Sequence, residues 1–240
     1  MADAQAPSAR RIAETDAQQA TTPAASLREV LIVDDHPLMC DALALTLKMG
    51  LGLRNLRTAR SLAAAQEQIR SQGAPDAVIL DSDLPDARGV EGLVSLRQLL
   101  PDVPITMISA NLDHAMIAMA MAAGAQGYVS KALGREALID SLRRMWQGER
   151  VTPESYQPGI PAEDAARAEL ARRFASLTPQ QMRILRLICQ GRSNREIGQE
   201  LGIAEATVKV HVTAIMAKVR ARRRAQAVTL ANSIGLFEAA

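Results

Sequence analysis

Short apolar runs alternate with longer amphipathic stretches between residues 29 and 150. The runs are Val30–Val33, a weaker LRNLRT (53–58), Ala77–Leu80, Ile105–Ile108 and Gly127–Val129. Helix-length segments lie near residues 37–49, 61–71, 88–100, 112–122 and 134–147. Continuous apolar runs are typical of strands buried on both faces, and their alternation with helices favours parallel pairing. The pattern predicts an α/β domain with a five-stranded, parallel, doubly wound sheet.

The rest of the chain divides by composition. Residues 1–28 are rich in Ala, Gln, Thr, Ser and Pro without an apolar period, which predicts a disordered leader. Residues 148–162 (GERVTPESYQPGIPA) contain three prolines and two glycines and predict a linker. A short helix could follow over 163–175, and only helical periodicity remains beyond Leu177. We therefore predict a leader (1–28), an α/β domain (29–150), a linker (151–176) and an all-α domain (177–240).

Charge separates the two predicted domains. The whole chain carries a net charge of +2. Residues 29–150 hold 12 Lys/Arg against 15 Asp/Glu, whereas residues 177–240 hold 10 against 4. A net charge of −3 over residues 29–150 and +6 over residues 177–240 indicates that only the helical end binds a polyanion. The chain has no run of 18 apolar residues and no signal-like start, so we expect a cytoplasmic protein with no membrane partner.

Polar residues follow four of the five apolar runs. Asp34 and Asp35 end the first, Asp81 the third, Ser109 the fourth and Lys131 the fifth. In a doubly wound sheet, ligands bind outside the carboxyl ends of the strands, so these side chains should lie together. Taken singly, each has an ordinary alternative: Asp35 could cap the next helix, and Lys131 could face solvent.

Together these residue types suit phosphoryl transfer to a carboxylate. An aspartate can act as the nucleophile and form an acyl phosphate. Neighbouring carboxylates need a cation to stay ionised, which indicates Mg²⁺ with oxygen ligands. Lys131 can neutralise the carboxylate and then the phosphoryl oxygens, and the Ser109 hydroxyl can hydrogen-bond the new group.

The segments VLIVDDHP, VILDSDLPD, ISA and GYVSK make residues 29–150 resemble the response-regulator receiver family, whose fold is flavodoxin-like. The resemblance implies that Asp81 is the phosphoacceptor. It implies that Asp34 and Asp35 form an acidic pocket for Mg²⁺, with Asp35 the more direct ligand. The backbone carbonyl of Asp83 would complete the metal site.

The same resemblance makes Tyr128 the aromatic switch residue, which swings inward as the Ser109 hydroxyl engages phosphate. Alternatively, Tyr128 could simply cover the sheet edge. The loop after Asp81 departs from the family at two positions. It has Arg88 where relatives commonly carry an acid, and it adds a carboxylate at Asp83.

The segment LTPQQMRILRLICQGRSNREIGQELGIAEATVKVHVTAIMAKV begins at Leu177. Thr178 before a proline predicts a helix start, and Gly191 predicts its end. Ser193 caps a second helix that Gly202 ends, and a third begins near Glu205. Short helices joined by a Gly-containing turn predict a helix-turn-helix.

The third helix has distinct faces. Its core stripe is Val208, Val212, Ile215 and Val219. Lys209, Val210 and Thr213 lie off that stripe near the helix N-terminus, where a recognition helix contacts base edges. Predicted phosphate contacts are Arg192, Arg195, His211, Arg220, Arg222, Arg223 and Arg224. The alternative is a helical bundle with a solvated basic face.

Residues from Leu177 to about Leu236 resemble the LuxR-type DNA-binding domain, which together with the receiver resemblance indicates the NarL/FixJ class. The resemblance departs at Arg220–Arg223, where relatives usually have a Gly and small or polar residues. Thr213 stands where some relatives place a lysine, so the target sequence does not transfer. The resemblance implies that the inactive receiver covers the recognition helix. A histidine kinase would phosphorylate Asp81, releasing that helix and favouring a homodimer on paired half-sites of double-stranded DNA.

Three alternatives differ in what the pocket does. The receiver could be a constitutive dimerisation module that is never phosphorylated, although intact Asp35, Asp81 and Lys131 speak against this. An enzyme using Asp81 covalently on a phosphorylated metabolite would need a substrate pocket and a second general acid, for which no segment offers a lid. A pure protein-interaction adaptor would show no salt-dependent duplex binding. We therefore expect a regulator that is not an enzyme.

Overall fold

The computed structural model describes residues 27–156 and 162–237. The predicted leader lies almost entirely outside this range, as does part of the predicted linker. Five parallel strands form one sheet in the order β2-β1-β3-β6-β7. Their bounds are β1 Glu29–Val33, β2 Asn55–Ala59, β3 Ala77–Asp81, β6 Ile105–Ser109 and β7 Gly127–Ser130. The five predicted strands and the α/β class are confirmed.

Helices cover both faces of the sheet. They are α1 Pro37–Leu51, α2 Leu62–Gln72, α3 Glu91–Leu99, α4 His114–Ala122 and α5 Arg135–Trp146. Because side chains of a strand alternate between faces, β1 packs Val30 and Ile32 with α1 and α5, and Leu31 and Val33 with α2, α3 and α4. The apolar runs were continuous in the sequence because both faces of these strands are buried.

A small hairpin follows β3. Strands β4 (Asp83–Leu84) and β5 (Ala87–Arg88) pair antiparallel. The sequence pattern predicted that the next helix begins near residue 88, but α3 begins at Glu91. Gly89 intervenes with φ +57°, a backbone conformation that a helix cannot include. The hairpin therefore brings the chain back to the sheet before α3 starts.

The second half is helical among the described residues. Its helices are α6 Ala162–Ala175, α7 Pro179–Cys189, α8 Asn194–Leu201, α9 Glu205–Val219 and α10 Arg224–Asn232. Thr178 and Ser193 each accept a hydrogen bond from the backbone N–H three residues ahead, in complete capping boxes. Gly202 ends α8 with φ +66°. The turn between α8 and α9 confirms the predicted helix-turn-helix.

The two halves are docked on one another. Helix α6 packs along α4 and against α3, and α7 also contacts α3. The apolar core of the helical half, including Phe174 and Leu177, is continuous with the side of the sheet that carries α2, α3 and α4. Within the described residues, no helix is long and apolar enough to cross a membrane.

Candidate functional site

The carboxyl ends of β1 and β3 present two buried carboxylates to one lysine. Lys131, just beyond β7, places its Nζ 2.7 Å from Asp81 Oδ2 and 2.8 Å from Asp34 Oδ2. Burial raises the pKa of Asp81, and the hydrogen bond from Lys131 opposes that rise. Burial alone would lower the pKa of Lys131, but its bonds to the two aspartates outweigh burial and raise it. The pocket therefore holds an ammonium directly against both carboxylates.

Asp35 and His36 extend this cluster towards solvent. The ligand atoms of Asp34, Asp35, His36 and Asp81 all lie within 4.8 Å of one another. His36 Nδ1 is 2.7 Å from Asp35 Oδ1 and 3.2 Å from Asp34 Oδ1. Three carboxylates against a single lysine leave an excess of negative charge and several oxygen donors, a set that suits Mg²⁺. The sequence did not predict His36 in the pocket.

Hydroxyl groups line the opposite wall. Ser109, at the end of β6, accepts a hydrogen bond of 2.8 Å from the Ser82 hydroxyl and one of 3.0 Å from the Asn111 N–H. Tyr128 is fully buried and donates its hydroxyl to the Asn111 carbonyl at 2.9 Å. Burial raises the pKa of Tyr128, and the nearby hydroxyls of Ser109 and Ser82 oppose the rise. Ser82 and Asn111 were missed by the sequence reasoning; they link Ser109 and Tyr128 to neighbouring loops.

A cleft of about 340 Å³ opens above these groups. Asp81, Ser109, Tyr128 and Lys131 line it, together with Asp83 of the hairpin. The Asp83 side chain is 80% exposed, and its Oδ1 lies 3.7 Å from Arg88 Nε. The two departures from the family pattern therefore face each other across the hairpin, at the rim rather than inside the acidic cluster.

The predicted base-contact residues lie on the exposed side of α9. Val210 is 68% exposed. Lys209 is also exposed and pairs with Glu205 one turn earlier, with 2.9 Å between Nζ and Oε1. Thr213 is exposed and donates its hydroxyl to the Lys209 carbonyl at 3.0 Å. Val208, Ile215 and Val219 are buried, as the predicted core stripe requires, while Val212 is half-buried.

The predicted phosphate contacts fall into two environments. Exposed members are Arg192, Arg195, Arg220, Arg222 and Arg223, while His211 is half-buried. Arg224 differs: its guanidinium donates to the Asn194 side chain at 3.2 Å and to the Arg192 carbonyl. Arg224 therefore ties the start of α10 to the start of α8.

The arrangement of the two halves differs from the covered state that the family resemblance implied. Receiver helices α3 and α4 contact α7 and α6, and the outer face of α9 with Lys209, Val210 and Thr213 stays exposed. In this conformation the predicted base-contact residues are not covered by the receiver.

Comparison with known proteins assigns each half of the chain to a family. Residues 30–143 match the response regulator receiver domain, and residues 175–231 match the LuxR family of bacterial regulatory proteins. The nitrate/nitrite response regulator protein NarL of Escherichia coli K12 is 31% identical over 209 residues, covering 87% of this chain and 96% of NarL. The transcriptional activator protein ExaE of Pseudomonas putida is 31% identical over 217 residues, covering 88% and 99%.

A solved structure of the RcsB response regulator of Salmonella typhimurium shares the fold, with a TM-score of 0.50 and 18% identity over 87% of this chain and 99% of RcsB. A doubly wound sheet with an acidic pocket at its carboxyl edge, followed by a helix-turn-helix, defines a DNA-binding response regulator of a two-component system. The chain belongs to the NarL/FixJ class of these regulators. Proteins of this family regulate transcription, and their receiver domains typically bind Mg²⁺ at such a pocket.

Proposed function

We propose that Asp81 of a receiver domain spanning residues 29–150 is phosphorylated, and that this controls DNA binding by residues 177–240. The observation that carries the proposal is the simultaneous pairing of Lys131 with Asp34 and Asp81. An ammonium in this position holds the Asp81 carboxylate in place and stays within reach of oxygens added to it.

The reaction is a displacement at phosphorus. A carboxylate oxygen of Asp81 forms a bond to the phosphorus of a phosphohistidine on a sensor kinase, and the phosphorus–nitrogen bond breaks. The leaving imidazole nitrogen takes up a proton. With acetyl phosphate, the phosphorus–oxygen bond to acetate breaks instead. Asp34, Asp35, Asp81 and the Asp83 carbonyl would hold Mg²⁺, which when bound neutralises the carboxylates and the transferred oxygens.

The hydroxyl wall supplies the conformational signal. Ser109 can exchange its bond with Ser82 for one to a phosphoryl oxygen. Because Asn111 bonds both Ser109 and Tyr128, that exchange moves the loop that leads into α4. Helix α4 packs on α6, so the change reaches the helical half directly.

The helical half binds double-stranded DNA through two kinds of contact. Lys209, Val210 and Thr213 face base edges in the major groove, which provides sequence discrimination. Contacts to the phosphates come from Arg192, Arg195, His211, Arg220, Arg222 and Arg223. Arg224 contributes charge but mainly positions α8. Phosphorylation favours a homodimer, which places two recognition helices on paired half-sites.

The test is the intact mass of wild type and Asp81→Asn after incubation with acetyl phosphate and Mg²⁺. The same samples are then titrated with duplex DNA at two salt concentrations. A single phosphoryl gain that Asp81→Asn lacks, with tighter DNA binding, is the expected result. No mass gain and unchanged, salt-dependent DNA binding would contradict the proposal. That outcome would favour a receiver that serves as a constitutive dimerisation module.

A further inference from the structure

A buried carboxylate of the receiver is neutralised by the helical half. Glu91, the first residue of α3, is 4% exposed. Its Oε1 lies 2.7 Å from Arg186 Nη2 on α7, and its Oε2 accepts a hydrogen bond of 3.3 Å from the Phe237 N–H. The Arg186 guanidinium also lies 5.2 Å from the centroid of the Phe237 ring. All three groups meet only because the two halves are docked.

This contact depends on the docking of the two halves. A carboxylate taken out of water is costly unless it is paired, and removing one member of a buried pair leaves the other uncompensated. Burial raises the pKa of Glu91, and the charge of Arg186 opposes that rise. When the halves separate, water can solvate both charges. The pair is therefore formed when the halves are docked and absent when they are apart.

Glu91 also terminates the segment that begins at Asp81. Between them lie Ser82, which bonds Ser109, and the β4–β5 hairpin. The Gly89 N–H donates to the Ser82 carbonyl at 2.8 Å, which closes the segment into a compact loop. The loop therefore joins two sites through a short segment with internal hydrogen bonds. One end lies in the acidic pocket, and the other pairs with the DNA-binding half.

We propose that Glu91 is a positioning residue that couples the acidic pocket to the helix-turn-helix through Arg186. The ion pair holds α7 on α3, and the change in the Asp81 loop on phosphorylation weakens it. This rests on the proposed phosphorylation of Asp81. It differs from covering of the recognition helix, because Lys209 and Val210 are exposed while the pair is formed.

The experiment compares five full-length proteins: wild type, Glu91→Gln, Arg186→Met, the double variant and Arg183→Met. Glu91→Gln keeps the shape of the side chain and removes its charge. Arg183 is the matched control, since it is exposed on the same helix and forms no ion pair among the described residues. The radius of gyration is measured by small-angle X-ray scattering without phosphodonor. Affinity for a duplex selected by wild type from a random library is measured with and without acetyl phosphate.

We expect Glu91→Gln and Arg186→Met to enlarge the unphosphorylated protein. Both variants should still take up one phosphoryl group, but the ratio of DNA affinities with and without acetyl phosphate should fall about fivefold or more towards one. The double variant should match the single ones, because both remove the same contact. Arg183→Met should behave as wild type.

Other outcomes would overturn the inference. If both variants keep the wild-type radius and the wild-type affinity ratio, the pair does not couple the halves. An equal effect of Arg183→Met would show a general response of α7 to lost charge. A wild-type protein that takes up phosphoryl without any change in DNA affinity overturns the coupling but leaves Asp81 as phosphoacceptor. Absence of phosphoryl uptake instead contradicts the proposed function itself and, with it, the coupling.

Discussion

The receiver and the helix-turn-helix hold their functional side chains in opposite ways. In the receiver, Asp34, Asp81 and Tyr128 are at most 4% exposed, and each is bonded to another part of the chain. In the helical half, Val210 is 68% exposed, and the Lys209 side chain is 64% exposed. The first site is complete within the protein, whereas the second requires an external partner.

This difference predicts how each half responds to substitution. Removing one partner of a buried ion pair leaves the other charge with neither water nor a counter-ion. This commonly lowers the free energy of unfolding by about 3–5 kcal/mol. An exposed pair such as Lys209–Glu205 is worth about 0–1 kcal/mol, because water replaces the lost partner. Single changes among the buried groups of the receiver pocket should therefore alter folding and chemistry together. Single changes on the exposed outer face of α9 should alter DNA binding alone.

The largest expected effect is on stability when Lys131 is removed. Lys131→Met leaves the carboxylates of Asp34 and Asp81 buried without their cation. We expect the free energy of unfolding to fall by about 3 kcal/mol, measured by urea denaturation with a chelator present. Mg²⁺ should restore part of the loss. The control is Lys48→Met on the exposed side of α1, which should change stability by less than about 0.5 kcal/mol. If Lys131→Met and Lys48→Met were equally stable, the buried ion pairs of the receiver would contribute no more to stability than an exposed lysine does.

A smaller effect is expected on metal binding. Asp35 is the most exposed of the three clustered carboxylates, with 36% of its side chain accessible. Asp35→Asn should weaken Mg²⁺ binding by about tenfold or more in isothermal titration calorimetry, since even outer-shell partners typically contribute that much. Stability without Mg²⁺ should barely change. Asp41→Asn, an exposed aspartate on α1, is the control. Unchanged affinity in Asp35→Asn would exclude Asp35 as a ligand.

The comparison also explains what could be predicted from the sequence. Asp34, Asp81, Ser109 and Lys131 were placed together correctly because parallel strands bring their carboxyl ends to one edge. The hairpin β4–β5 was missed because strands of two residues show no periodicity. Ser82 and Asn111 escaped notice because their role comes from hydrogen bonds to other side chains.

The contact between the halves had no signal in the sequence. Glu91 and Arg186 are 95 positions apart, and each alone looks like a solvated helix charge. The helix-turn-helix was predictable because its caps are local: Ser193 and Glu196 satisfy each other's backbone N–H groups within one turn. Local sequence patterns predict the helices and their caps. The docking of the two halves depends on surfaces that only the folded chain brings together.

On the exposed face of α9, effects should appear in binding and not in folding. Lys209→Ala should cost about 1–3 kcal/mol on the selected duplex and relax discrimination at one base pair. Arg222→Gln should weaken all duplexes alike and reduce the slope of log affinity against log salt by about one. Both are measured by fluorescence anisotropy at several salt concentrations. The same loss on all sequences for Lys209→Ala would show that Lys209 contacts phosphate.

The smallest expected effect is a gain in stability at Arg220. This residue ends α9 with φ +56°, the left-handed conformation that glycine adopts freely and other residues adopt at a cost of roughly 1–2 kcal/mol. Arg220→Gly should therefore raise stability by about 1 kcal/mol, seen as a rise in Tm of roughly 2–4 °C. It should also lower the salt dependence of DNA binding, because one exposed charge is lost.

Arg222→Gly separates backbone relief from loss of charge. Arg222 is not among the residues with positive φ, so glycine there removes the same charge without relieving strain. It should lower Tm slightly or leave it unchanged, while the salt dependence falls as in Arg220→Gly. Equal Tm shifts in the two variants would mean that charge repulsion in this arginine cluster outweighs backbone strain. A rise in Tm for Arg220→Gly that Arg222→Gly does not show would establish that the backbone of Arg220 is strained, and equal losses of salt dependence would show that both side chains contact DNA phosphate.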